Sequence, residues 1–146
     1  FFMTTELSTS QTMVLIEILK ILRNDENKIA RKKIYELFMD KKIDDINSLD
    51  KQTILFIEKL YGDFDEIGFL VEEFKIKEIL FKLYSDTIRR VWIALRNNVE
   101  NEKIKRQKND PAAIAFGYYF NQLAYEAKKY RDKNNLKEPG FTDLRK

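Results

Sequence analysis

In four separate stretches of this chain, apolar side chains return every third or fourth residue, and no stretch of useful length alternates strictly. The clearest runs are Ile57, Leu60, Phe64, Ile67, Val71, Phe74 and then Leu80, Tyr84, Ile88, Val91, Leu95, Val99. Such spacing lines one face of an α-helix, whereas one face of a strand needs a period of two. Ala30, Ile34, Leu37 and Phe38 form a third stripe, and Phe116, Phe120, Leu123, Ala127 and Tyr130 a fourth. Only 4 Gly and 2 Pro interrupt the 146 residues, so little opposes long helices. The expected fold is all-α: a single-domain bundle of about five main helices over residues 10–135, with a long central helical hairpin. A flexible stub (1–9) would precede it and a loose tail (136–146) would follow.

Cap and breaker residues set the expected boundaries. A first helix runs from about Ser10 to Arg23, where only Glu17 and Lys20 break the apolar run from Met13 to Leu22. So wide a stripe implies burial on several sides. Asn24-Asp25-Glu26-Asn27 is a break that can cap a second helix. Residues 40–50 read as a polar connection, with a third helix from near Asp50 and a tight turn at 75–77. Gly62 and Gly68 each cost a helix interior about 1 kcal/mol relative to Ala, so keeping both suggests close approach of a neighbouring backbone. After Val99 the stripe fades, and residues 103–108 should form an exposed helical extension. Asp110-Pro111 reads as the N-cap and first position of a fifth helix that ends at Asn134-Asn135.

The chain has no Cys and no His. That excludes disulfide scaffolds, Cys/His zinc sites, His-ligated haem, His-based triads and thiol nucleophiles. No glycine-rich phosphate loop is present, and no Ser-x-x-Lys motivates a Ser–Lys pair. The carboxylates Asp63, Asp65, Glu66, Glu72 and Glu73 leave an all-oxygen magnesium site open, although only Asp63 and Glu66 share a face at spacing three. The structural alternative is an ion pair across the hairpin, joining Asp63 or Glu66 to Arg89 or Arg90, with Trp92 buried beside it. No metal site and no cofactor is expected.

Charge is uneven. The whole chain carries +3, while residues 101–146 hold 11 basic and 6 acidic side chains. Within that region Lys103, Lys105, Arg106 and Lys108 are the candidate anion-binding residues, with Tyr118, Tyr119 and Tyr125 nearby. A solvated helix end explains the same residues. No window reaches the ~18 apolar residues of a membrane span, and no secretory signal is legible. Phe1-Phe2-Met3 could be a scar before a start at Met3 or the end of a missing upstream segment.

The stretch DFDEIGFLVEEFKIKEILFKLYSDTIRRVWIAL (63–95) resembles a prokaryotic family of unknown function, DUF four-seven-six-zero. Its members show a "FEEIG-LV" helix, a short turn and an "II-R-W" helix. The matching residues here are Phe64, Asp65, Glu66, Ile67, Gly68, Leu70 and Val71, then Ile88, Arg89 or Arg90, and Trp92. ARKKIYEL (30–37) and YYFNQLAYEAKKYR (118–131) look like flanking helices of that family, so the resemblance covers about residues 12–133. It implies a small all-helical domain that often follows an N-terminal membrane span, and it brings no catalytic residues.

The expected function is a non-enzymatic helical interaction module that meets a protein partner or a second copy of itself. It would be cytoplasmic or on the cytoplasmic side of a membrane, tethered only through a missing upstream segment. Two other readings stay open: a phage- or defence-related nucleic-acid-binding accessory protein that uses residues 101–146, and a magnesium-dependent enzyme built on the carboxylates.

Overall fold

The structure is a computed structural model that describes residues 6–141. Five α-helices follow one another: α1 (Thr9–Arg23), α2 (Asp25–Met39), α3 (Lys51–Phe74), α4 (Lys77–Gln107) and α5 (Tyr118–Lys133). Short 3-10 turns at Ile46–Ser48 and Pro111–Ala115 join them, and no strand occurs among the described residues. The protein is an all-α domain.

Local chemistry explains most of the boundaries. The Ser8 hydroxyl accepts the Gln11 amide while the Gln11 side chain accepts the Ser8 N–H, a reciprocal capping box. Gln11 also donates from Nε2 to the Phe74 carbonyl at the end of α3 (2.9 Å). The Asn24 side chain accepts from Glu26 and Asn27, and Asp50 accepts from the Thr53 N–H at 2.7 Å. Those Thr53 hydrogen bonds hold the Asp50 carboxyl below its usual range. Lys75 ends α3 in the left-handed region (φ 55°), which turns the chain sharply into α4.

The core forms where α3 and α4 each pack on α5, with α2 closing the other side of α3 and α1 at the edge against α2 and α3. Phe64 and Phe120 are fully buried with ring centres 5.4 Å apart. Gly68 is where the backbones come closest, since a Cβ there would collide with the Tyr119 carbonyl. No described helix is long and apolar enough to cross a membrane.

Several expectations need correction. α1 is buried on one side only: Ile18 and Leu22 are in the core while Met13 and Ile16 are exposed, because the helix lies at the rim. The 40–50 connection is not wholly polar in its packing. Ile43 is buried, and its carbonyl accepts from the Asn98 side chain at 3.0 Å. Asp110 does cap, but it starts a 3-10 turn rather than α5. The reason is Gly117, whose φ of 72° breaks the path and whose Cβ would meet Val99 Cγ1 at 2.6 Å. Gly62, by contrast, has no atom within 4 Å of a Cβ position, so no close approach explains it. Trp92 is half-buried, edge-on to Phe120 at 5.0 Å. Of the terminal segments, residues 1–5 and 142–146 lie outside the described residues. Ser8 of the expected stub is a helix cap, and in the expected tail Phe141 packs against the core while Glu138 pairs with Arg89.

Candidate functional site

The hairpin ion pair is not formed as the sequence suggests. α3 turns Asp63 toward α2, where its carboxylate accepts from Asn27 Nδ2 (2.8 Å) and pairs with Lys59 (3.1 Å). Arg89 is turned toward α5 instead. Its Nη1 donates to the Ala124 carbonyl (3.0 Å), while Nε and Nη2 form a bidentate pair with Glu138 at 2.8 and 2.7 Å. Arg90 donates to the Gly140 carbonyl (2.9 Å) and to Asp86 (3.3 Å), one turn back on its own helix. Glu66 is exposed and has no ion pair among the described residues. The physical reason lies in the layering. α3 and α4 each pack more extensively on α5 than on one another, so their facing charges find partners elsewhere.

Arg89 needs such a partner because its side chain is only 6% exposed. A buried guanidinium without one is strongly destabilising. The answer comes from residues 136–141, which cross back over α4 and bring Glu138 to Arg89. Phe141 then seats between Tyr35 and Phe38, with ring centres 5.7 and 4.7 Å away. Arg89 holds the Glu138 carboxyl below the usual carboxylate range, against the opposing effect of desolvation. Burial pushes the Tyr35 hydroxyl up to about 12, although Arg31 and Arg90 pull the other way.

The other carboxylates do not converge. Asp65 accepts the Phe120 N–H at 3.0 Å and so caps the start of α5, while Glu72 and Glu73 point to solvent. Among the described residues no group of three or more acidic side chains is placed to hold a metal ion.

The basic segment is an exposed end of α4, continuous with the helix to Gln107. Lys103 pairs with Glu100 (3.1 Å) and Arg106 with Glu102 (2.9 Å). Lys105 and Lys108 have no ion pair among the described residues and are exposed. Arg106 also lies over the Phe116 ring, 4.3 Å from its centre.

Two surface features remain. The rings of Phe69, Tyr119 and Tyr118 touch in sequence across the α3–α5 seam, with centres 5.3 and 5.2 Å apart. Phe69 and Tyr118 are 43% and 53% exposed, so this is a ring strip open to solvent. Next to the 111–116 turn lies a cleft of about 310 Å³, lined by Glu58, Tyr61, Gly62, Asp65, Arg106 and Phe116 among others. In the sequence Tyr118 and Tyr119 stand out only as neighbours of the basic segment, and nothing singles out Phe69, Glu58 or Glu138. Only the seven-residue spacing of Glu58, Asp65 and Gly62's intervening position could have signalled the cleft.

No protein-family model, curated protein or solved structure matches this chain.

Proposed function

We propose that the protein is a non-enzymatic helical interaction module that docks another protein through the α3–α5 seam. The observation that carries this reading is the exposed strip Phe69–Tyr119–Tyr118. Large aromatic rings at an exposed seam are the side chains that dominate protein interfaces, and contiguous apolar surface commonly marks an interaction site. The strip rests on rigid helices, because Tyr119 lies directly over Gly68 and Asp65 fixes the start of α5.

The nucleic-acid reading draws less support. Two of its four cations, Lys103 and Arg106, are already paired along their own helix. The magnesium reading needs carboxylates that the fold spreads apart: Asp63 faces α2 and Asp65 caps α5.

Site-specific photocrosslinking in the native host tests the proposal. A photoreactive side chain at Tyr118 should give a discrete protein adduct that Phe69→Ser weakens. The same probe at exposed Lys28 on α2 should not. Equal labelling from both positions, or none from Tyr118, would overturn the reading.

A further inference from the structure

Gly62 and Gly68 sit six residues apart on the same helix, and only one has a structural reason to be glycine. Gly68 makes room for the Tyr119 backbone, whereas a Cβ at Gly62 would meet nothing within 4 Å. Gly62 instead lines the cleft beside the 111–116 turn. A helix-weakening residue with no internal packing role, placed on a cavity wall, keeps that wall open to an occupant.

The lining indicates the occupant's chemistry. Glu58 and Asp65 lie four residues before and three after Gly62, so all three share one face of α3. Glu58 has no ion pair among the described residues, and Asp65 commits Oδ1 to the Phe120 N–H. Arg106, the one cation in the lining, is already matched by Glu102 at 2.9 Å and stacked on Phe116. Glu58, at the open edge of the cleft, is therefore left without a cation, beside an Asp65 whose charge also serves the start of α5. Between them on the same face of α3, Tyr61 meets Phe116 of the 111–116 turn edge to face at 5.8 Å, and Phe120 forms part of the wall. The Tyr61 hydroxyl is pushed up first by burial and then by the charges of Glu102 and Glu58, which agrees with a negative local potential.

We propose that this cleft binds a small organic cation, an ammonium group on a compact apolar or aromatic body, independently of the ring strip on the α3–α5 seam. The ammonium would face Glu58 and Asp65 and the apolar body would lie against Tyr61 and Phe116, where aromatic faces also favour a cation. A volume of about 310 Å³ is at the small end of ligand cavities, which limits the ligand to one ring or a short chain.

The test uses 2-phenylethylammonium as the probe and Trp92, the only tryptophan, as the reporter, since its ring touches Phe120 at 5.0 Å. Titration should give a saturable change in Trp92 fluorescence at millimolar probe, with amide shifts concentrated at Gly62 and Gly117. The charge-neutral pair Glu58→Gln and Asp65→Asn should weaken binding at least about tenfold, a change of about 1.4 kcal/mol. Gly62→Leu should abolish binding while the melting temperature stays the same or rises. Absence of saturation, equal affinity for uncharged 2-phenylethanol, or full binding by Gly62→Leu would overturn the proposal. A fall in melting temperature for Gly62→Ala would also overturn it, because glycine would then have a structural role.

Discussion

Residues 103–108 and residues 136–141 both lie beyond a stretch of well-packed helix, and the structure treats them in opposite ways. In the first, Lys103 and Arg106 are answered by Glu100 and Glu102, one turn back on the same helix. Those pairs stay within α4, and Arg106 reaches only as far as the Phe116 ring in the turn that follows. In the second, Glu138 answers Arg89, 49 positions earlier and almost fully buried, and Phe141 adds a ring to Tyr35 and Phe38. Composition already differs, KIKRQK against LKEPGF, but it does not say which segment is tied down. What separates them is where the partner charge lies: a partner on the same helix leaves a segment free to project, and a buried partner far away in sequence ties it down.

Ending the chain after Asn135 is the strongest test of that difference. It removes the only carboxylate on Arg89 among the described residues and the ring between Tyr35 and Phe38, and it should cost about 3–5 kcal/mol by urea unfolding. A loss below about 1 kcal/mol would place residues 136–141 with the helix end rather than apart from it. Glu138→Gln is the finer version. Its side chain is 40% exposed, so water shares the load and the expected loss falls to about 1–2 kcal/mol.

Acid should erase that second difference. The folded Glu138 carboxyl is lowered from its ordinary value, so its contribution is fully present above the unfolded pKa, about 4.3. It is lost as pH falls through the lower folded value. The stability gap between the native chain and Glu138→Gln should thus be constant at neutral pH and close only in the acid range. A gap that persists at low pH would mean that shape rather than charge fastens the segment.

The smallest effect belongs to the other segment. Lys105→Gln and Lys108→Gln should each change stability by less than about 0.5 kcal/mol. Neither should alter the salt dependence of binding to DNA or RNA if the segment only solvates a helix end. A flattening of about one unit in log K against log salt per residue would instead mark phosphate contacts.

How much of this was legible beforehand follows from the kind of signal involved. The stripes of α2 to α5 and the caps at Asn24 and Asp50 are local patterns, and they place helices correctly because packing and hydrogen bonding within one turn decide them. The Arg89–Glu138 pair has no periodic signature, since any of several carboxylates could have met that guanidinium. Residues 63–95 look like a hairpin whose charges face each other, yet α5 intervenes in the packing and redirects both sides. Asp110-Pro111 is a sound helix start overridden by the close passage at Gly117, which local propensity does not encode. The shared face of Glu58, Gly62 and Asp65 is readable, but the cleft it lines is not, for a related reason. Gly62 and Gly68 are identical in sequence terms, and only their surroundings tell a necessary glycine from an unexplained one.

Gln11 has a consequence beyond capping. Its side chain serves the first turn of α1 through Ser8 and the last carbonyl of α3 through Phe74 at the same time. A helix end normally frays by itself, at little free-energy cost. Here the opening of one end strips a hydrogen bond from the other, so the start of α1 and the corner between α3 and α4 should open together to the extent that this one side chain couples them. Amide exchange would register this as matched protection at Gln11 and at Ile76, whose N–H is held by the Val71 carbonyl. The start of α1 thus stands one side chain away from the corner that turns α3 into α4.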